Sequence, residues 1–176
     1  MNMDVQTVVA NTLTLNTDNF VIPALQGLSD ADLLKRPSDQ CNPMGWLLWH
    51  QTRTEDAILS LIGGLPQAWV ADNWHEKFGM PADPHDIGAG YSLEQVMALQ
   101  PTIAALQGYA AAVREKTLAL LKTLTPADLE RDFPHPAGGT RTGCDFLGIL
   151  LLDQFHHSGQ IAYLRGYLTG KGWFPM

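Results

Sequence analysis

The sequence predicts an all-α protein, a four-helix bundle that forms a single domain over residues 1–176. Four long segments place apolar residues at three- and four-residue steps, which is the spacing of an amphipathic helix. No segment alternates apolar and polar residues as a half-buried strand does. The chain is also long enough for one domain with a sizeable core, and it contains no repeat that would indicate a solenoid.

The first predicted helix spans residues 4–25, and Pro23 bends or ends it. Its core-facing side carries apolar residues at helical spacing, namely Val5, Val9, Leu13 and Phe20. Residues 28–32 follow as an N-cap and a short helical turn, which the pair Arg36-Pro37 closes.

The second predicted helix begins after Pro43, since proline is favoured in a first turn, and ends at the pair Gly63-Gly64. Residues 65–91 are rich in Pro, Gly, Asp and aromatic residues, which predicts a long, partly structured connection with room for a short helix. Connections of this length are uncommon in compact domains and are often functional. A crossover as long as this one allows helices two and three to run parallel.

The third predicted helix opens at Ser92 with a capping box and extends to about Leu124, with a kink at Pro101. A short turn at residues 125–128 and a loop at residues 134–143 follow. The fourth predicted helix spans residues 144–168 and ends at Gly170.

The net charge of −7 gives an acidic surface that repels phosphate backbones, so we expect no nucleic-acid partner. No apolar run reaches the roughly 18 residues that a membrane span requires, so we expect no membrane partner. The N-terminus lacks the basic and apolar blocks of a secretory signal, which predicts a cytoplasmic protein.

Cys41 and Cys144 form no CxxC pair, and we expect them to be reduced and buried.

The fourth predicted helix places Asp153 and His157 one turn apart within its apolar stripe. His156 borders the same face, so Asp153 could pair with either imidazole. The second predicted helix carries His50 in the middle of its own apolar stripe. Burying an unpaired carboxylate costs several kcal/mol, so a partner must compensate the charge of Asp153.

Two interpretations account for these three side chains. A divalent cation held by His50, Asp153 and His157 would compensate the carboxylate and leave coordination positions free, as in a reactive metal site. The alternative is a structural His–Asp hydrogen bond with the second histidine exposed, and spacing alone slightly favours it. The histidines in the loops, His75, His85 and His135, have no ligand spacing and are expected at the surface. Phosphate-binding and serine-hydrolase motifs are absent from the sequence, so neither a nucleotide cofactor nor serine hydrolysis is expected.

The segments GWLLWHQTRTED around His50 and HHSGQIAYLRGYL in the fourth helix resemble the DinB-like superfamily, which includes the DinB/YfiT-type metalloenzymes. The resemblance covers essentially the whole chain, and its specific part is W-x-x-x-H and H-x-G-Q-I. It implies an up-down-down-up bundle with a divalent metal bound by three side chains, which here are His50, Asp153 and His157. The family often has His at position 153, whereas the related thiol-dependent maleylpyruvate isomerases have Glu. With the shorter Asp153, His156 is the alternative ligand.

The resemblance implies a metal-dependent transferase or isomerase of a small molecule, with a low-molecular-weight thiol as a possible cosubstrate and a homodimeric assembly. Zinc or nickel fits the ligand set first, and cobalt or iron next. The alternative functions are a non-catalytic module that binds a metal or small ligand, and a structural dimeric bundle. Near the metal we expect Gln160 and Trp49 as supporting residues and Arg165 as a partner of a substrate carboxylate, with packing or solvated roles as their alternatives. No residue has a predicted catalytic role.

Overall fold

Helices make up most of residues 4–170, the part of the chain that the computed structural model describes. The first three and last six residues of the predicted domain 1–176 lie outside this range. The α-helices in chain order are α1 (Val5–Asn16), α2 (Ile22–Leu25), α3 (Met44–Gly63), α4 (Ala68–Ala71), α5 (Trp74–Lys77), α6 (Leu93–Ala98), α7 (Ile103–Leu121), α8 (Pro126–Glu130) and α9 (Gly143–Thr169). The other elements are a π-helical turn (Thr17–Val21), a 3₁₀ turn (Asp30–Leu34) and the strands β1 (Asp132–Pro134) and β2 (Thr140–Thr142).

The first predicted helix is confirmed as a helical segment in which a π-helical turn joins α1 to α2. It begins at Asp4, whose carboxylate accepts a hydrogen bond from the backbone N–H of Thr7. Val9 and Leu13 are buried as predicted, whereas Val5, in the first turn, is 46% exposed. The second and fourth predicted helices are confirmed as α3 and α9, and each is followed by a glycine with a positive φ, 62° at Gly64 and 72° at Gly170.

The third predicted helix is wrong as a single element. The capping box at Ser92 is present, but α6 ends at Ala98 and α7 begins only at Ile103. Pro101 therefore separates two helices instead of bending one. Proline has no backbone N–H to donate, and it disfavours the helical conformation in the residue before it.

The prediction that the chain has no strands was also wrong. Residues 132–134 pair with residues 140–142 in an antiparallel hairpin, with Phe133 opposite Arg141. Three-residue strands are too short for an alternating pattern to be visible in the sequence. Phe133 is buried against the ring of Phe146, which attaches the hairpin to the start of α9. Cys144 in the same turn of α9 is exposed, contrary to the prediction of a buried thiol.

Helix α3 lies at the centre of the fold, since it packs against both α7 and α9, while α1 also packs against those two helices. Most of α3 is buried, including the polar run of residues 51–56 in its middle. Apolar residues form one buried cluster around the first half of α3 and another around its second half. Among the described residues, no helix combines the length and apolar character that a membrane crossing requires.

The connection (residues 64–92) between α3 and α6 is tied to α3 by Arg53. This side chain is fully buried, and its guanidinium donates hydrogen bonds to the backbone carbonyls of Asp83, Pro84 and Asp86 at 3.0–3.2 Å. It also donates to the amide oxygen of Gln67 at 2.9 Å. Because a planar guanidinium carries five N–H donors, one side chain can fix the path of a whole segment.

Asp56 completes this network from the next turn of α3. Its carboxylate lies 3.6 Å from the guanidinium of Arg53 and accepts hydrogen bonds from the backbone N–H groups of Ala68 and Trp69 at 2.9 Å. Tyr109 from α7 donates its hydroxyl to the same carboxylate at 2.8 Å. Both charged groups are thus paired and hydrogen-bonded, which is the condition under which burial of charge is tolerated.

We predict that Arg53→Met destabilises the protein by ~3–5 kcal/mol, because it removes the positive charge that pairs the buried Asp56 carboxylate and the hydrogen bonds that hold the connection. Urea unfolding followed by circular dichroism measures the change. Arg141→Met is the matched control, since Arg141 is exposed and its guanidinium donates a hydrogen bond only to the carbonyl of Thr140 among the described residues. A loss of less than ~0.5 kcal/mol for Arg53→Met would contradict the role assigned to the network.

Candidate metal centre

Helices α3 and α9 bring His50, Asp153 and His157 together. One carboxylate oxygen of Asp153, Oδ1, lies 3.3 Å from Nε2 of His50 and 3.4 Å from Nε2 of His157. One potential ligand atom from each of the three residues lies within 4.8 Å of the other two. The helical step from Asp153 to His157 places both on one turn of α9, and the contact of α9 with α3 supplies His50.

Both imidazole rings are oriented by hydrogen bonds on their outer nitrogen. Nδ1 of His50 donates to the backbone carbonyl of Ile87 in the connection, and Nδ1 of His157 lies 2.7 Å from the amide oxygen of Gln160. A carbonyl oxygen only accepts, so the proton of each neutral ring resides on Nδ1. Each Nε2 therefore presents a lone pair toward Asp153. Such outer hydrogen bonds are the usual means by which proteins orient histidine ligands.

The cluster needs positive charge, because three electron-rich atoms face one another in a partly buried space. Burial would raise the pKa of Asp153, but the hydrogen bonds that protonated Nε2 groups of His157 and His50 would donate to the carboxylate outweigh burial and lower it below the ordinary value. Burial would likewise lower the pKa of His157, but its contacts with Asp153 and Gln160 raise it. Protons on the imidazoles or a bound cation would both satisfy the site, so they compete for the same nitrogens.

Two of the three ligand separations fit a metal ion. Ligands at about 2.0–2.1 Å from a tetrahedral ion are separated from one another by about 3.3–3.4 Å, which matches the two distances from the imidazole nitrogens to Oδ1. The second carboxylate oxygen of Asp153, Oδ2, is buried and has no hydrogen-bond partner among the described residues. Two imidazoles and one carboxylate are a donor set that divalent transition metals accept, and three protein ligands leave further positions open.

His156, the alternative ligand, does not join this cluster. Its ring is exposed and stacks on His157 with 5.2 Å between ring centroids. The geometry therefore favours Asp153 as the third ligand. Gln160 is exposed, but it contacts His157 directly, as expected of a supporting residue.

The other two predicted site residues lie elsewhere. Trp49 is fully buried and packs against Trp69 and Tyr91, which is the core-filling role given as its alternative. Arg165 lies two turns beyond His157, and its guanidinium donates to the carbonyl of Ala24 at 3.4 Å. Neither residue contacts the cluster through a hydrogen bond or ring contact.

Sequence reasoning missed two contributors to the site. The indole of Trp46 stacks on the imidazole of His50, with 4.8 Å between centroids and 5° between planes. Its place one turn before His50 in W-x-x-x-H could have indicated this contact. The backbone carbonyl of Ile87 orients the same imidazole, and a backbone group has no signature in the sequence. Next to it, Gly88 has φ +83° at a position where a Cβ would lie 2.7 Å from Trp49.

A cavity of about 780 Å³ opens onto the cluster from the side of His50 and Asp153. Its walls are the outer face of α3, both ends of the connection, the hairpin loop and the first half of α9. His85, expected at the surface with some lining of a pocket, and His135, expected at the surface, both line this cavity. A space of this size suits a small molecule.

The family model of the DinB superfamily matches residues 17–161, which include all three residues of the cluster. The chain belongs to the DinB superfamily. No curated protein matches the chain. Among solved structures, this DinB-superfamily chain is similar to the crystal structure of the conserved protein of locus from Enterococcus faecalis. The two are 24% identical, the TM-score is 0.83, and the match covers 96% of this chain and 99% of the other. That likeness shows the fold.

We predict that Asp153→Asn lowers the pKa of His157 in metal-free protein, because it removes the negative charge that favours the imidazolium. An NMR titration of the histidine ring signals measures this shift. Asp145→Asn is the control, since Asp145 caps the start of the same helix and bonds only Thr142. An unchanged His157 pKa in Asp153→Asn would mean that the carboxylate and the imidazole do not interact.

Proposed function

We propose that this DinB-superfamily protein is a metalloenzyme in which His50, Asp153 and His157 hold a divalent ion. The reaction is transfer or isomerisation on a small molecule, with a low-molecular-weight thiol as cosubstrate. The observation that carries the proposal is the convergence of two imidazole lone pairs and a carboxylate oxygen at metal-ligand spacing, beside a cavity of about 780 Å³. A purely structural His–Asp hydrogen bond requires one imidazole, whereas here two imidazoles approach the same carboxylate oxygen.

A bound ion would act as a Lewis acid that polarises a carbonyl or lowers the pKa of a thiol or water at its open position. The protein's own groups orient and enclose the site. The Ile87 carbonyl and Gln160 keep the Nε2 atoms of both imidazoles directed inward. The connection and the hairpin loop wall the cavity.

The nature of the ion and of the thiol is also part of the proposal. Two imidazoles and a carboxylate suit zinc or nickel, and cobalt or iron as further candidates, because borderline metals accept mixed nitrogen and oxygen ligands. The thiol is supported by the family resemblance and by the similarity of the ligand set to that of thiol-dependent isomerases.

We further propose that the protein acts in the cytoplasm.

We propose that α1–α2, α3, α7 and α9 form an up-down-down-up bundle within one domain. Residues late in α3 cluster with residues early in α9, which supports an antiparallel pair. Gly45 and Gly63, at the two ends of α3, approach Pro101 and Leu120, at the corresponding ends of α7, which supports a parallel pair. Asn16 donates to Ser158 in the middle of α9, and Gln6 donates to the carbonyl of Leu124 just beyond α7.

We predict that protein purified without chelator contains about one equivalent of divalent metal and that His157→Ala retains less than about a fifth of it. Inductively coupled plasma mass spectrometry measures the content. His156→Ala is the matched control, because it removes the neighbouring imidazole and should leave the metal in place. Metal affinity should fall as the pH drops, since protons bind the same nitrogens and the pKa of His157 is raised.

The same measurement separates the alternative functions. Equal metal content in wild type and His157→Ala, or no metal under any loading condition, would support a structural bundle with a buried His–Asp pair. Metal without consumption of bacterial thiols in the presence of a panel of electrophiles would support a non-catalytic binding module.

We also propose that the protein is a homodimer that associates through the outer face of α9. Four large apolar side chains are exposed along this face: Leu152, Phe155, Tyr163 and Tyr167. Gly148 and Gly159 lie on the same face and would allow a second helix to approach closely. None of these residues is charged, and a self-complementary patch of this kind suits a two-fold axis.

We predict that Leu152→Glu converts the dimer to a monomer, because it places a charge at the most exposed residue of the apolar face. Sedimentation velocity measures the assembly state. Leu93→Glu is the control, since Leu93 is an exposed leucine on α6, outside this face. A monomeric wild type, or a dimer that survives Leu152→Glu, would contradict this interface.

A further inference from the structure

The hydroxyl of Thr54 is a buried polar group that the metal cluster leaves unused. Thr54 follows His50 by one turn of α3, lines the cavity, and is only 6% exposed. Its Oγ1 has no hydrogen-bond partner among the described residues. Thr52, two residues earlier and similarly buried, shows the usual alternative, because its hydroxyl donates to the carbonyl of Leu48 at 2.9 Å.

An unpartnered buried hydroxyl destabilises a folded protein, whereas valine would fill the same space without that cost. The position therefore indicates a hydrogen-bond partner that is not part of the chain. Asp153 Oδ2, the other unpartnered buried atom among the described residues that line this cavity, points to the same conclusion. Two such atoms in one cavity indicate a ligand with a polar end at the cluster.

The rest of the lining indicates the chemistry of that ligand. Most of it is apolar, as at Ile58, Leu61, Phe146 and Ile149. None of the described lining residues is Lys or Arg, and Arg165, the expected partner of a substrate carboxylate, does not line the cavity. An anionic group on the body of the ligand, away from the cluster, would therefore find no Lys or Arg side chain to pair with it.

We propose that Thr54 hydrogen-bonds the polar atom of the substrate, and that the substrate is an uncharged, largely apolar small molecule with one polar head such as a thiol, hydroxyl or carbonyl. The proposal rests on the proposed function, since it places that head beside the metal ligands. The cavity walls bind the apolar body, and Thr54 fixes the head next to the cluster.

The test uses benzyl mercaptan as an uncharged probe and 4-(mercaptomethyl)benzoate as its anionic counterpart. Isothermal titration calorimetry measures both affinities on chelator-treated and on Co²⁺-loaded protein, for wild type, Thr54→Val and the control Thr52→Val. We expect wild type to bind the uncharged probe at least about 10-fold more tightly than the anionic one, since no Lys or Arg side chain lines the cavity to pair the carboxylate. Thr54→Val should lower the affinity for the uncharged probe about 3- to 10-fold, which is the effect of one hydrogen bond. Thr52→Val should leave that affinity unchanged.

Thermal unfolding supplies a second readout that a merely structural role would not produce. Thr54→Val should unfold at the same or a higher temperature than wild type while binding the probe more weakly. Unchanged probe affinity in Thr54→Val, tighter binding of the anionic probe, or no binding of either probe to wild type would overturn the inference. If Co²⁺ does not bind, the proposed function fails, and the chelator-treated series still decides the role of Thr54.

Discussion

Two imidazole nitrogens and one carboxylate oxygen repel one another in the cluster, and the surrounding structure has to hold them together against this repulsion. The carboxylate oxygen lies 3.3–3.4 Å from each imidazole nitrogen in a partly buried space, and only positive charge makes that arrangement stable. The structure maintains it from outside, because the Ile87 carbonyl and Gln160 hold the protons on the far side of each ring. A set of atoms arranged in this way is ready to accept an ion.

The buried network around Arg53 extends this constraint to the rest of the fold. Arg53 fixes the carbonyl of Asp86, and the next residue, Ile87, orients His50. The connection therefore lines the cavity and also orients the ligand His50. Helix α3 carries the ligand His50 and, three residues later, Arg53, which anchors the connection. Both residues lie in or beside the polar middle of α3, which is buried on nearly all sides.

Helical periodicity was sufficient to predict most of the long helices and the faces on which His50, Asp153 and His157 lie, because burial follows the spacing of apolar residues. It did not predict the break at Pro101, since proline can either bend or end a helix. The hairpin strands were too short to show a pattern. Ile87 and the unpartnered state of Thr54 were invisible for a further reason: both depend on where the connection runs, and contacts between segments far apart in sequence leave no local signal.

X-ray absorption spectroscopy of the zinc-loaded protein tests the central claim most directly, because it identifies the atoms bound to the ion. The account predicts a shell of nitrogen and oxygen at about 2.0–2.1 Å with the outer-shell scattering of two imidazole rings. The scattering of both rings should persist in His156→Ala, and one of them should be lost in His50→Ala. A shell that contains sulfur from a cysteine, or only one imidazole in the wild type, would contradict it.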